Sequence, residues 1–176
     1  KTLALYDVKT GKPIRTFAGH DRSVPVTCVC FSSDARFAAV GGHNGIVRLW
    51  DLSTGALAKT FAPAGISLTD LAFTHDQRYL LLASSQGQVQ LRDWQADKVI
   101  QSWKTGDRPI HGLAVHPQDK LVASWHEGGE VAIWERESGK LRASFCLPSA
   151  VTCLAFTGEN RCVVGTASGT VYLLAW

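Results

Sequence analysis

Short apolar runs and short polar clusters alternate along the chain with a long period. The runs "VTCVCFS", "LTDLAFT", "IHGLAVH" and "VTCLAFT" form one column, anchored at Phe31, Phe73, Val115 and Phe156. Their spacings are 42, 42 and 41 residues. A second column reads "RFAAVGG", "RYLLLAS", "KLVASWH" and "RCVVGTA". A third reads "NGIVRLWD", "QGQVQLRD", "GGEVAIWE" and "SGTVYLLA", with glycines at 45, 87, 129 and 169. A fourth, "PIRTF", "ALAKTF", "VIQSW" and "KLRASF", ends at Phe17, Phe61, Trp103 and Phe145. A further echo of the third column, "KTLALYDV", opens the chain. Self-similarity of this kind has to be read before any single element, because it decides the whole architecture.

Each period therefore holds four short segments rich in Val, Ile, Leu, Phe and Trp. Turn residues separate them: "SSDA", "HDQ", "PQD" and "GEN" after the first segment, and "TG" or "SG" between the third and fourth. Segments of this length and spacing predict antiparallel strands. No window carries a sustained 3.6-residue apolar stripe, so almost no helix is expected. "YLLLA" and "VTCVCF" are apolar at consecutive positions. Both faces of each sheet are then buried, as in stacked sheets, whereas a sheet wetted on one side alternates. The predicted fold class is all-β. It is a β-propeller of four-stranded antiparallel blades, with strands a to d from the inside out.

The expected organisation is a half blade at 2–17 with strand c running to Val8. Whole blades follow at 26–61, 68–103 and 110–145, and an incomplete blade at 151–176. About four repeats is at the low end of the roughly four to eight blades of propellers, so the chain is expected to be a segment of a larger one. Its remaining blades would then be its first partners.

Gly19-His20 precedes Trp50-Asp51 by about thirty residues, with "CVCFSSDARFAAVGG" between them. In this the chain resembles the WD-repeat β-propellers. The resemblance spans the chain and is strongest for 19–61. The Gly-His pair occurs once. The Trp-Asp slot reads Tyr6-Asp7, Trp50-Asp51, Arg92-Asp93, Trp134-Glu135 and Leu174-Ala175. Family members often join a His, a strand hydroxyl, the Trp indole and a turn Asp in a polar relay. Here the turn slot holds Asn44, Gln86, Gly128 and Ser168, and "RFAAVGG" has no hydroxyl. No blade is expected to keep the full relay, which leaves packing to do most of the stabilising.

Composition narrows the function. The chain has 176 residues, 45% hydrophobic and 19% charged, which is ordinary globular material. The net charge is +3 with no Lys/Arg run, so there is little pull toward nucleic acid or anionic membrane. No apolar run approaches the roughly 18–20 residues of a spanning helix, and no signal peptide is visible. Five cysteines, Cys28, Cys30, Cys146, Cys153 and Cys162, include no CxxC. They are expected to be buried core thiols in a reducing, intracellular compartment, cytoplasmic or nuclear.

Candidate chemistry is thin. His20-Asp21 lacks a third partner for catalysis. His75 and His116 fall in different blades without further ligands, so no metal site is expected. Asp93 and Glu135 sit in equivalent slots of successive blades, too far apart to act as a catalytic pair. "GGHNG" joins two strands and opens no helix, so it is not a phosphate loop. Neither catalytic residues nor a cofactor are expected.

Surface loops remain. The d–a and b–c loops share one end of a propeller. They gather Asp21, Arg22, Ser23, His43, Asn44, Asp107, Arg108, Trp125, His126 and Glu127. Arg22, His43, Asn44, Asp107, Arg108, Trp125, His126 and Glu127 are the candidate partner-binding residues. Trp125 stands in a column whose other members are Gly41, Ala83 and Thr166, all small. It is either a filler between blades or an exposed anchor.

The resemblance implies a non-enzymatic scaffold that binds a protein or peptide within a multiprotein complex. RNA binding by one face is an alternative, but Arg22 and Arg108 are each flanked by an Asp. An enzymatic or cofactor-binding propeller is another. Sedimentation of residues 1–176 is expected to show self-association through uncovered apolar blade faces. A stable, closed, soluble monomer would contradict the segment reading.

Overall fold

The computed structural model describes residues 3–17, 24–62 and 67–176. Among them every regular element is a strand, in the order β1 (Leu3–Tyr6), β2 (Pro13–Phe17), β3 (Val26–Phe31), β4 (Phe37–Gly42), β5 (Val47–Asp51), β6 (Leu57–Phe61), β7 (Leu68–Phe73), β8 (Tyr79–Ser84), β9 (Gln88–Asp93), β10 (Lys98–Lys104), β11 (Ile110–Val115), β12 (Leu121–His126), β13 (Glu130–Glu135), β14 (Leu141–Cys146), β15 (Val151–Gly158), β16 (Arg161–Thr166) and β17 (Val171–Ala175). They pair antiparallel and in chain order. β1–β2 form a two-stranded sheet, β3–β6, β7–β10 and β11–β14 four-stranded sheets, and β15–β17 a three-stranded sheet. The first strand of each later sheet lies against the first strand of the next, β3 on β7, β7 on β11 and β11 on β15, which sets the sheets side by side as propeller blades.

Apolar side chains from neighbouring sheets fill the layers between them. Leu80 and Leu82 of β8 join a cluster with Val47, Leu49 and Phe61 of the preceding sheet. Leu81 and Ala83 of the same strand join Ile110, Leu113 and Trp134 of the following one. Leu121, Ala123 and Ile133 meet Val151, Leu154 and Val164. Each central strand thus serves two cores, which is why it reads as an unbroken apolar run.

The turns carry the backbone demands. Gly45, Gly87, Gly129 and Gly169 all have positive φ between the second and third strands of their sheets. At Gly129 a side chain would also collide, since a Cβ there would lie 2.3 Å from the Leu147 carbonyl oxygen.

Polar clasps tie sheet to sheet at the turns. Asp119 accepts the backbone N–H groups of His75 and Asp76, both at 2.8 Å. Ser33 Oγ donates to the His75 carbonyl, and His116 Nε2 lies 3.2 Å from the Gly158 carbonyl. On the outer strands, Arg15 donates to the Ser53 and Thr54 carbonyls, Lys59 to Gln95 and Gln101 to Ser138. These residues stand at equivalent positions of β2, β6 and β10, so one side-chain slot repeatedly grips the next sheet's outer turn. His75 and His116 thus each take part in a contact between sheets.

Several details differ from the sequence reading. The strand expected to run to Val8 ends at Tyr6, because Asp7 Oδ1 accepts the N–H and the hydroxyl of Thr10 and turns the chain. The last repeat is shifted by one residue. Gly165, not Thr166, pairs with Val171 and Cys153, as Trp125 pairs with Val131 and Gly112. The cysteines are not all core thiols. Cys28 and Cys162 are buried and Cys30 is partly covered, but Cys146 and Cys153 are exposed, at the end of an outer strand and on the open face of the last sheet. Burial pushes the Cys28 and Cys162 thiols up to about 11.

Asp51, from the Trp-Asp pair, closes the turn after β5. Its Oδ1 accepts the Ser53 hydroxyl at 2.6 Å and the N–H groups of Ser53 and Thr54 at 2.9 and 3.0 Å. The Ser53 hydroxyl, with the Thr54 N–H next, holds its carboxyl down to about 2. A depressed native pKa contributes stability above the unfolded value, and that stability is lost as pH falls through the native one. Urea midpoints are therefore expected to fall between about pH 4 and pH 2, and Asp51→Asn to flatten that fall. An identical pH profile for the variant would contradict the assignment.

Candidate interaction surface

The loops at the end of the sheets opposite the Asp51 turn are short and held from beneath. His43 N–H donates to the Pro25 carbonyl at 3.1 Å, and its Nδ1 lies 3.1 Å from Ser67 Oγ of the next sheet. Asn44 Oδ1 accepts the Ile46 N–H at 3.2 Å. Both residues are exposed, so their free atoms face solvent from a pinned backbone. A Cβ on Gly42 beside them would lie 2.9 Å from Asn44 Oδ1, so a side chain there would displace the Asn44 amide.

The next two loops form a charged group. Asp107 pairs with Lys104, and Arg108 Nη1 lies 3.7 Å from Glu130 Oε1. Glu127 Oε2 lies 3.9 Å from His111 Nε2. The pairs are solvent-facing, with 91% of the Asp107 side chain and 84% of that of Glu127 accessible. Such pairs contribute little to stability, so these charges are free for other uses. Among the described residues this part of the rim carries both signs, and no basic stripe forms there. Arg22, with Asp21 and Ser23, lies outside the described residues.

Two candidates belong to the core. Trp125 is 8% exposed and His126 3%. Trp125 lies over Gly112, its partner across the ladder, and joins the cluster with Leu147 and Val151. A Cβ on Gly112 would lie 2.0 Å from the indole ring. The same cross-strand site holds Cys28–Gly41, Asp70–Ala83 and Cys153–Gly165 in the other sheets. Each pair sets a larger residue against Gly or Ala, and in the third four-stranded sheet the larger one stands on the second strand. Gly112 was the sequence signal that Trp125 is a filler, visible only when the two columns are read together. His126 turns inward because its Nδ1 meets the Pro109 carbonyl at 2.9 Å. Neither residue is an exposed contact.

Two further polar residues escaped the sequence reading. Ser124 Oγ accepts the Trp134 indole N–H at 2.9 Å, so one leg of the family's relay survives in the third four-stranded sheet. Asp70 accepts the N–H of Leu113, in the following sheet, at 2.7 Å and that of Leu71 at 2.8 Å. Burial raises its pKa. Its role is a clasp between inner strands. At the opposite end, an open cleft of about 580 Å³ is lined by His116, Asp119, Lys120, Glu135, Arg136 and Arg142 among others. Its charges are mixed, and Arg136 is turned toward Asp76 and the Tyr79 ring. Among the described residues no group of three or more His, Cys, Asp or Glu could hold a metal ion. No helix there is long and apolar enough to cross a membrane.

Comparison with known proteins adds the family context. Residues 11–51 match the family described as "WD domain, G-beta repeat". Over 142 residues the chain is 30% identical to mouse telomerase protein component 1, covering 81% of this chain and 5% of that protein. Over 136 residues it is 29% identical to the Schizosaccharomyces pombe target of rapamycin complex subunit wat1, covering 76% and 42%. Over 161 residues it is 22% identical to the Saccharomyces cerevisiae COMPASS component SWD3, covering 80% and 50%. The chain thus spans half or less of the length of these relatives. Among solved structures, the computationally designed Ika4 protein superimposes with a TM-score of 0.77 at 24% identity, over 90% of this chain and 94% of that one.

Trp125→Ala is expected to cost about 3–5 kcal/mol through the cavity it leaves. Gly112→Ala is expected to destabilise as well, by driving a methyl into the ring. Urea denaturation checks both, and an unchanged midpoint for Trp125→Ala would show that the indole is not packed.

Proposed function

Because the chain belongs to the WD-repeat β-propeller family, we propose that it acts as a non-catalytic platform binding a protein or peptide through the rim loops that carry His43, Asn44, Asp107, Arg108 and Glu127. The observation that carries this is the contrast between stiff sheets and exposed polar loop tips. The central strands bury their apolar faces against one another, while these side chains face solvent, His43 from a backbone held by its N–H on the Pro25 carbonyl. Binding to such a surface loses little conformational entropy. Alternating charge favours a partner with matching donors and acceptors, since like charges set opposite one another are penalised.

The relatives that are named as subunits of the target of rapamycin complex and of COMPASS support a place in multiprotein assemblies. Five free thiols support an intracellular setting, cytoplasmic or nuclear.

The test is affinity capture with the protein and with an Asp107→Ala/Arg108→Ala variant. Both side chains are largely exposed, so the melting temperature should not move while a bound protein is lost. Unaltered capture by the variant would remove these loops from the site. Binding of RNA that weakens steeply with salt would replace the proposal with the nucleic-acid reading.

A further inference from the structure

The turn between β12 and β13 differs from its three siblings in what its backbone bonds to. In the turns β4–β5, β8–β9 and β16–β17 the leading N–H crosses to the loop that enters the sheet. That of His43 donates to the Pro25 carbonyl at 3.1 Å, that of Ser85 to Ser67 at 2.9 Å and that of Ala167 to Ala150 at 2.8 Å. The matching carbonyl for β12–β13 belongs to Pro109, and His126 Nδ1 takes it instead. The Glu127 N–H is left without an acceptor among the described residues.

The next N–H along the turn is unmet as well. In two siblings a serine hydroxyl accepts it: Ser84 Oγ from Gln86 at 3.3 Å and Ser149 Oγ from Ser168 at 3.2 Å. The residues in those two serine slots are here His126, already turned to Pro109, and Arg108, whose side chain has donors only. The Gly128 N–H therefore has no acceptor among the described residues.

Between the two loops lies an open pocket of about 330 Å³ lined by Arg108, Pro109, Glu127 and Gly128. Arg108 lies close over the glycine, since a Cβ on Gly128 would be 3.0 Å from Nη1. Glu130 Oε1 stands 3.7 Å from the same nitrogen, too far for a hydrogen bond, so the guanidinium fork stays open. Two backbone donors and a guanidinium thus converge where sibling sheets place an oxygen.

We propose that this pocket takes the carboxylate of an Asp or Glu side chain of a partner protein, held by the Arg108 guanidinium and the N–H groups of Glu127 and Gly128. This rests on the rim being a protein-binding surface and names what the partner must present there. A carboxylate is the strongest acceptor a polypeptide carries, and its two oxygens match the guanidinium fork. Glu127 and Glu130 flank the pocket and limit the charge it accepts. A phosphate, at about −1.5 to −2, is repelled more by them than a singly charged carboxylate.

The experiment titrates isotopically labelled protein, residues 1–176, with acetyl-Gly-Glu-Gly-amide, followed by amide resonances. Saturable shifts are expected at Glu127 and Gly128. The Gln analogue should bind about tenfold more weakly, the difference between a charged and a neutral acceptor. The phosphoserine analogue should bind no more tightly than the Glu peptide. Arg108→Gln, at an exposed position, should lose the binding with the melting temperature unchanged. Arg108→Ser, which restores the hydroxyl of the last sheet, should lose it too and slow hydrogen exchange at the Gly128 amide. Absence of saturable binding, equal binding of the Gln peptide, tighter binding of the phosphoserine peptide, or binding retained by Arg108→Gln would overturn the proposal. None of these readouts needs a captured partner, so failure of the pocket and failure of the rim in affinity capture are separate results.

Discussion

Everything in this chain depends on sheets burying both of their faces against one another. In β8 the side chains go alternately to two cores, Leu80 and Leu82 to one side, Leu81 and Ala83 to the other. No sheet owns its core. A single sheet of four short strands cannot bury enough surface by itself, so each is stable only as a neighbour. The hydrogen-bonding requirements follow from this. The second strands, β4, β8 and β12, are almost wholly buried, so their backbone polar groups must be paired within the sheets.

Close packing also explains where the polar residues went. Where two sheets meet at their turns, apolar burial gives way to directed contacts. Asp119 on the His75 and Asp76 amides, and Asp70 on the Leu113 amide, set the relation of one sheet to the next. The outer grip through Arg15, Lys59 and Gln101 does the same at the far edge with three different side chains. What that slot needs is a long donor, and charge is secondary. Several ionisable residues thus serve the architecture, while Asp107, Arg108 and Glu127 stand at the rim.

The family's relay shows the same economy. Trp134 keeps its bond to Ser124, while the turn slots that would complete the relay hold Asn44, Gln86, Gly128 and Ser168, Gly128 in the Trp134 sheet itself. A packed indole, such as Trp94 between Phe37 and Phe73 with its N–H on the Gln77 carbonyl, holds its place without one. The fold tolerates wide variation in its signature residues because the repeat is held chiefly by area and register.

The repeat made the class of the fold readable from the sequence alone. Period, strand length and turn glycines are local properties, and a four-column pattern repeated this regularly allows few packings. The loops that face solvent were readable for the same reason. Trp125 and His126 were not, because their direction depends on partners in other columns: Gly112 across the ladder and the Pro109 carbonyl. The one-residue shift in the last repeat was hidden too, since only backbone pairing reveals which residue stands opposite Val171. Cys146 and Cys153 looked like core thiols, and exposure of an edge or an open face is decided by what lies beside it. The sequence by itself determined the strands, their order and the rim. Tertiary structure decided which bulky side chain fills a gap and which histidine turns inward, because both depend on residues that only folding brings alongside, Gly112 and Pro109.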